Sequence, residues 1–112
     1  MPEVIIRPAN GTVVVRAGGA VIAESPNAKT LYEDGHEPVY YIPKGDVGMA
    51  LLEPTGRRAD GPHWGEAQVY AIAGKSGPIA DAAWSYAAPH DALAEIADHV
   101  AFDGSKAAVE LL

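Results

Sequence analysis

The spacing of glycine and proline limits this chain to short secondary-structure elements. Twelve glycines and nine prolines are spread along 112 residues, so the sequence meets a turn-forming residue every few positions. Proline interrupts helices and glycine weakens the interior of helices and strands, whereas both residues suit tight turns. The pattern therefore favours short strands joined by turns. We predict a mainly β fold: a single compact domain of short, coiled antiparallel sheets with one short helix near the C-terminus.

The clearest predicted element is a β-hairpin centred on Gly18-Gly19. Residues 12–17 and 20–25 are rich in β-branched or small apolar residues, and the two glycines between them tolerate positive φ angles. Further strands are predicted at residues 28–33, 39–42, 49–53, 66–73, 79–84, 99–102 and 109–112, with one helical turn at 44–47.

Two segments do not fit the strand pattern. Residues 54–65 combine glycine, proline and charged residues and are predicted to form a long surface loop, a type of segment that is often functional. Residues 89–98 are predicted to form the short helix, because Pro89 and Asp91 suit a helix start and apolar residues follow along one face.

The composition excludes several classes of site and partner. The chain has no cysteine, and its four histidines lie apart, so we predict no disulfide, no metal site and no cofactor. A formal charge of −7, with Arg57-Arg58 as the only adjacent basic pair, argues against nucleic acid as a partner. No apolar run approaches the ~20 residues of a membrane span, and the first residues do not resemble a signal peptide. We expect a soluble, cytoplasmic protein without a membrane partner, whose one domain spans residues 1–112.

Aromatic and polar residues suggest a candidate ligand site. Adjacent strand residues point to opposite faces, so one of Tyr40 and Tyr41 should lie in the core and the other outside it, whereas Trp84 and Tyr86 should share a face. We predict that an aromatic cleft with a polar rim is formed by six residues: Tyr41, Asp46, His63, Glu66, Trp84 and Tyr86. The alternative is that the rings are ordinary core members whose polar tips find hydrogen-bond partners.

Several short sequence blocks occur in an order typical of one known family. They are Tyr40-Tyr41-Ile42-Pro43 with Asp46-Val47 and Leu52, then Gly65, Ala67 and Tyr70, then Ala83-Trp84-Ser85-Tyr86 with Pro89, and His99-Val100-Ala101-Phe102. Over about residues 13–102 the chain resembles the small bacterial family called domain of unknown function 427. The resemblance implies a compact, mainly β domain, and the family also carries a nucleotidyltransferase label.

The chain departs from the family pattern in one segment. Family members read Cys-Pro-aromatic-Lys-Gly where this sequence has Gly61-Pro62-His63-Trp64-Gly65. If the family uses that thiol or amine for chemistry, this chain has either lost the activity or moved the role to His63, the one titratable side chain left there.

Three functions are compatible with these residues. Familiar catalytic motifs are absent, so we predict a domain that binds a small polar ligand in the aromatic cleft. One alternative is a nucleotidyltransferase-like enzyme in which Asp46 and Glu66 hold a divalent metal and Arg57-Arg58 meet phosphates. The other is a homodimer or interaction module that uses a strand edge or the segment around Trp64. The sequence leaves open whether the protein is an enzyme.

Overall fold

The computed structural model describes residues 4–61, 65–86 and 91–112, which contain ten strands and three short 3₁₀ helices. Strands account for 62% of these residues and helices for 11%, which confirms the mainly β prediction. The strands are β1 (Val4–Pro8), β2 (Val13–Ala17), β3 (Ala20–Ser25), β4 (Lys29–Glu33), β5 (Val39–Pro43), β6 (Leu52–Gly61), β7 (Gly65–Gly74), β8 (Gly77–Tyr86), β9 (His99–Phe102) and β10 (Ala108–Leu111). The 3₁₀ helices are Lys44–Asp46, Met49–Leu51 and Asp91–Ile96.

Two antiparallel sheets of unequal size build the molecule. The larger sheet has seven strands in the order β1-β4-β5-β9-β8-β7-β6, and the smaller has three in the order β10-β2-β3. Strands that follow each other in sequence are mostly neighbours, but β9 is inserted between β5 and β8. The radius of gyration, 13.2 Å, is that of a single domain of this length. Within the described part of the chain, no helix is long and apolar enough to cross a membrane.

The main hydrophobic core lies between the two sheets. The three-stranded sheet contributes Val13, Val15 and Ile22, which are almost completely buried. The facing side chains of the seven-stranded sheet include Ile42, Tyr70, Ile72, Ala83, Val100 and Phe102. Each fully buried valine or isoleucine contributes about 1.5–3 kcal/mol through the hydrophobic effect, so this layer accounts for much of the stability of the fold.

The other face of the seven-stranded sheet carries a smaller core. Its buried members are Leu31, Tyr41, Ala67, Tyr86, Leu93, Ile96 and Ala101. The 3₁₀ segment Asp91–Ile96 covers this face by inserting Leu93 and Ile96. Leu93 has φ −115° and ψ 15°, so the segment is two short turns rather than one regular helix. The predicted short helix is thus present over part of its range, while residues 89 and 90 lie outside the described residues.

The hairpin predicted around Gly18-Gly19 is confirmed. β2 and β3 pair in antiparallel register on either side of it, and the two glycines have φ angles of 57° and 81°. Positive φ at both central positions is the geometry of a type I′ turn, whose twist matches that of the flanking strands. The remaining predicted strands, apart from the one at 49–53, and the helical turn after Pro43 are also present with small shifts in their bounds.

Two predictions between residues 49 and 65 are wrong. Instead of a strand at 49–53, the chain makes the 3₁₀ turn Met49–Leu51 before β6 begins. Instead of a loop at 54–65, β6 pairs with β7 as far as Gly61↔Gly65. Pro54 pairs with Tyr70 and Arg58 with Gln68, so a bulge in β6 takes up two extra residues. The bulge accommodates turn-forming residues inside a strand, which is why the local sequence suggested a loop.

The Gly18 turn packs against the turn between β7 and β8, and this contact can be tested. A Cβ atom on Gly18 would lie 2.8 Å from the Cα of Gly74, whereas one on Gly35 would meet no atom within 4 Å. Both glycines have left-handed φ angles, 57° and 80°, which cost other residues about 1–2 kcal/mol. We expect Gly35→Ala to lower the free energy of unfolding by about this amount and Gly18→Ala to lower it by more, as measured by urea denaturation. Equal losses would contradict a tight contact between the two turns.

Candidate functional site

Three of the predicted site residues share one face of the seven-stranded sheet. Tyr41 lies in β5, and Trp84 and Tyr86 lie in β8, with β9 between the two strands. Tyr41 and Tyr86 are buried in the smaller core, and Trp84 packs against it while remaining half-buried. Tyr40 packs instead against the core between the sheets. Tyr40 and Tyr41 thus point to opposite faces, and Trp84 and Tyr86 share one, as predicted. The expectation that one of the two adjacent tyrosines lies outside the core is wrong, because Tyr41 is buried in the smaller core and Tyr40 packs against the main one.

A hydrogen bond fixes Trp84 relative to Tyr41. The indole Nε1–H of Trp84 donates to the Tyr41 hydroxyl oxygen, 3.2 Å away on the far side of β9. Buried or half-buried indole groups usually need such a partner, because the N–H would otherwise lose its contact with water. The bond anchors one edge of the Trp84 ring.

Burial raises the pKa of both tyrosines of this cluster. Desolvation raises the pKa of the Tyr41 phenol above its usual 10.0, the hydrogen bond from Trp84 opposes that rise, and the Glu33 carboxylate adds to it. Burial also raises the pKa of Tyr86, and Tyr41 and Glu33 reinforce the effect. The side chain of Glu33 is only 16% exposed and has His36 Nε2 at 3.7 Å from its Oε2. The phenols therefore serve as packing and hydrogen-bonding groups rather than as charges.

A surface cleft opens beside this cluster, where β5 and β9 separate. These strands pair only at Ile42↔Val100 and Pro43↔His99, so the start of β5 and the end of β9 are not held together by a ladder. The volume of the cleft is about 350 Å³, which suits a small ligand. We call it the Trp84 cleft, and it is lined by Glu37, Pro38, Val39, Tyr40, Trp84, Phe102, Asp103, Gly104 and Val109.

Aromatic rings and carboxylates give the Trp84 cleft its chemistry. Tyr40, Trp84 and Phe102 supply rings from three different strands, and Glu37 and Asp103 supply negative charge. Tyr40 and Trp84 are half-buried, whereas Phe102 is almost completely buried. Apolar walls with a few polar groups are the usual composition of a small-molecule site.

The Asp103 carboxylate is held in position by its own turn. Its Oδ1 accepts hydrogen bonds from the hydroxyl of Ser105, at 2.7 Å, and from the backbone N–H of the same residue, at 2.9 Å. These bonds, together with the nearby Lys106 ammonium, hold the pKa of the Asp103 carboxyl below its usual 3.8. The carboxylate is therefore ionised at neutral pH.

Asp46, which the sequence placed at the rim of the aromatic site, makes its contact elsewhere. Its Oδ2 accepts a hydrogen bond of 2.6 Å from the hydroxyl of Ser25, which is fully buried at the end of β3. The Ser25 hydroxyl oxygen in turn accepts the backbone N–H of Asn27 at 3.0 Å. Asp46 does not line the Trp84 cleft, and the contact ties the 3₁₀ turn Lys44–Asp46 to the three-stranded sheet.

The other two predicted rim residues cannot be compared with this geometry. His63 lies outside the described residues, as does the predicted approach of its segment to the aromatic cluster. The backbone of Glu66 is part of β7 and pairs with Asp60, while its side chain lies outside the described part of the chain. The six-residue site therefore remains a prediction of which Tyr41, Trp84 and Tyr86 are seen together.

Trp84 is the one residue of this lining that was among the predicted site residues, and the eight missed residues include Glu37, Tyr40, Phe102 and Asp103. Tyr40 and Phe102 belong to strands that were predicted, but the sequence does not indicate that β9 lies beside β5. A second surface cleft of about 390 Å³ follows β4 and is lined by Ile5, Tyr32, Glu33, Asp34, Gly35 and His36. Its rings are one phenol, of Tyr32, and one imidazole, of His36, whereas three larger aromatic residues line the Trp84 cleft, which is therefore the better candidate for a ligand.

Metal-binding groups and relatives complete the description of the site. Among the residues that the structure describes, no three His, Asp or Glu side chains are grouped so as to hold a metal ion.

The model of a family described as a domain of unknown function (DUF427) matches residues 5–111, a range that includes every residue lining the Trp84 cleft. A comparison with curated proteins finds no match.

Proposed function

The chain belongs to the DUF427 family, and we propose that it is a binding domain whose small-molecule ligand occupies the Trp84 cleft. Of the predicted aromatic residues, this proposal keeps Trp84 in the lining of the site, and it moves the polar rim. Trp84 remains a wall of the site, and Tyr41 becomes the residue that positions Trp84. Glu37 and Asp103 take the place that the sequence gave to Asp46 and Glu66.

One observation carries the proposal: a half-buried tryptophan is held at a cleft by the hydrogen bond that it donates to a buried tyrosine. The Tyr41 hydroxyl accepts the Trp84 N–H at 3.2 Å, so the ring does not need water or a partner to satisfy its polar atom. The cleft that it faces measures about 350 Å³ and is bounded by two further aromatic rings. A ring that is ordered before the ligand arrives loses little conformational entropy on binding, which favours affinity.

A nucleotidyltransferase activity, as the family label suggests, is not proposed. In the sequence analysis it would use Asp46 and Glu66 as a metal-holding pair. The Asp46 carboxylate is engaged by the buried Ser25 hydroxyl at 2.6 Å and stands apart from the cleft. That the protein forms a homodimer remains a prediction from the sequence, which a sedimentation measurement of its molecular mass can test.

The test uses Trp84 itself as the reporter. The chain has two tryptophans, so a Trp64→Phe variant leaves Trp84 as the only indole. We expect small aromatic compounds to shift the Trp84 Nε1–H resonance in proton–nitrogen NMR spectra, together with the backbone signals of Tyr40 and Gly104. A library screened at about 10 mM covers the weak affinities expected of fragments.

Substitutions at two glycines provide one variant that blocks the cleft and one matched control. Gly104 lines the cleft and Gly45 does not, and at both positions a Cβ atom would meet nothing within 4 Å. We expect Gly104→Leu to weaken binding of a fragment hit about tenfold or more, because a leucine side chain fills part of the cleft. Gly45→Leu should leave the affinity unchanged. If no compound shifts the Trp84 signal, or if both variants bind equally well, the proposed function is wrong.

A further inference from the structure

We propose that the ligand of the Trp84 cleft is a small organic cation, in which an ammonium or guanidinium group is attached to a flat apolar body. This inference rests on the proposed function and adds the chemical class of the ligand. It follows from the charges at the cleft, from the partner that already occupies the nearest lysine, and from the aromatic rings.

Among the described side chains that line the cleft, the two charged ones are both acidic. Glu37 lies just before β5 and Asp103 lies just after β9, so the two carboxylates come from separate segments that line one opening. The Ser105 hydroxyl and backbone N–H both bind Oδ1 of Asp103, at 2.7 and 2.9 Å, which fixes the orientation of the carboxylate. Neither of these bonds uses Oδ2, so this oxygen is the natural acceptor for a ligand N–H group.

The nearest base does not neutralise this site by a direct ion pair. Lys106 lies three residues after Asp103, but its ammonium donates to the carbonyl oxygens of Ala80, at 2.8 Å, and Asp81, at 3.4 Å. Those contacts hold the Lys106 side chain on residues 80 and 81 of β8, where the register with β7 shifts between Tyr70↔Ala83 and Ile72↔Ile79. The Lys106 charge still acts on Asp103 from a distance, but two carboxylates against this one ammonium leave the described rim net negative, in a protein whose formal charge is −7. An anionic ligand such as a phosphate ester would meet repulsion at this opening.

The aromatic lining favours the same class of ligand. The faces of tryptophan and tyrosine rings attract cations through their electron-rich π systems, and they also pack well against flat apolar groups. Trp84 of β8 and Tyr40 of β5 both line the cleft, and each is half-buried. A ligand with a flat apolar part and one positive charge can therefore use the rings and a carboxylate together.

The experiment compares three probes that have similar size and differ in charge. Benzylammonium, benzyl alcohol and benzoate are titrated into the Trp64→Phe protein at neutral pH, and the Trp84 Nε1–H resonance reports binding. We expect benzylammonium to bind about threefold or more tighter than benzyl alcohol, with benzoate weakest. Raising the salt concentration from about 20 mM to about 500 mM should reduce the advantage of the cation, because exposed charges are screened.

Variants that each remove one negative charge show which carboxylates favour the cationic probe. Asp103→Asn keeps an oxygen acceptor for Ser105 and removes the charge, so we expect it to weaken benzylammonium binding about twofold to fivefold and to leave benzyl alcohol unchanged. Glu37→Gln should act in the same direction. Glu24→Gln, at an exposed position that does not line the cleft, is the control and should change nothing.

The outcomes separate this inference from the proposed function. If benzyl alcohol or benzoate binds in the cleft as tightly as benzylammonium, the inference that the ligand is a cation is wrong, whereas the proposed binding function stands. If Asp103→Asn and Glu37→Gln leave the order of the three probes unchanged, the carboxylates do not select the ligand and the inference is also wrong. If none of the probes shifts the Trp84 signal and the wider fragment library fails as well, both proposals fall.

Discussion

Replacing Trp84 with alanine should lower the free energy of unfolding by about 3 kcal/mol, the lower end of the range for removing a large buried aromatic side chain. The ring packs against the smaller core and is half-buried, so its removal loses apolar burial and opens a cavity next to Tyr41 and Val39. It also removes the indole N–H that donates a hydrogen bond to the Tyr41 hydroxyl oxygen. Urea denaturation followed by circular dichroism measures the change.

Two conservative variants separate the packing of Trp84 from its hydrogen bond. Trp84→Phe keeps an aromatic ring and should cost clearly less than the alanine change. Tyr41→Phe keeps both rings and leaves the indole N–H without its acceptor, which should cost about 1 kcal/mol. If Trp84→Ala costs no more than Tyr41→Phe, the ring contributes little to the core and its burial has been overestimated.

The sequence predicted the features that depend on a few neighbouring residues. Strand alternation has a period of two, so the opposite faces of Tyr40 and Tyr41 follow from their adjacency alone. The Gly18-Gly19 turn is equally local, because the φ angles that it needs are available to glycine without strain. Element types that are set by short-range conformation could therefore be predicted without knowledge of the fold.

The features that the sequence analysis missed depend on which strands meet. Whether Pro54 lies in a loop or in a bulged strand is decided by the pairing of β6 with β7, which the residues around Pro54 do not encode. The Trp84 cleft exists because β9 lies between β5 and β8 and its ladder with β5 is short. That Asp103 lines this cleft could not be inferred from the sequence around Asp103.

Asp46 illustrates the same point for a predicted site residue. Its carboxylate was assigned to the aromatic cleft because it follows Tyr41 and the Pro43 turn closely in sequence. The structure instead pairs it with Ser25, which is 21 residues earlier in the chain. The approach of β3 is supported by an isolated antiparallel bridge between Ala23 and Val47. A contact between distant segments has thus decided the role of a residue that local reasoning assigned to ligand binding.

The protein should lose stability as the pH rises above about 10, and Tyr86 should be one cause. Burial raises the pKa of Tyr86, and that of Tyr41, above the usual 10.0. Above that pH the phenols of the unfolded chain release their protons while those of the folded protein keep them, so the unfolded state binds fewer protons. The free energy of unfolding must then fall with rising pH, by linkage, until the folded phenols also ionise. Below pH 10 this contribution to stability is fully present.

Tyr86→Phe isolates the contribution of that phenol from the titration of other groups. The variant has no proton to lose at this position, so its stability should fall less steeply between about pH 10 and pH 11.5 than that of the parent protein, as measured by urea denaturation at each pH. Tyr32→Phe is the matched control, because Tyr32 is 43% exposed and lies outside the smaller core, and it should retain the slope of the parent. Absorbance at a wavelength where phenolate absorbs gives a second measurement on the folded protein, in which one fewer late-titrating tyrosine should appear in Tyr86→Phe. If the two variants show the same slope and the same late absorbance change, the hydroxyl of Tyr86 is in contact with water and the buried cluster beside the cleft is looser than described.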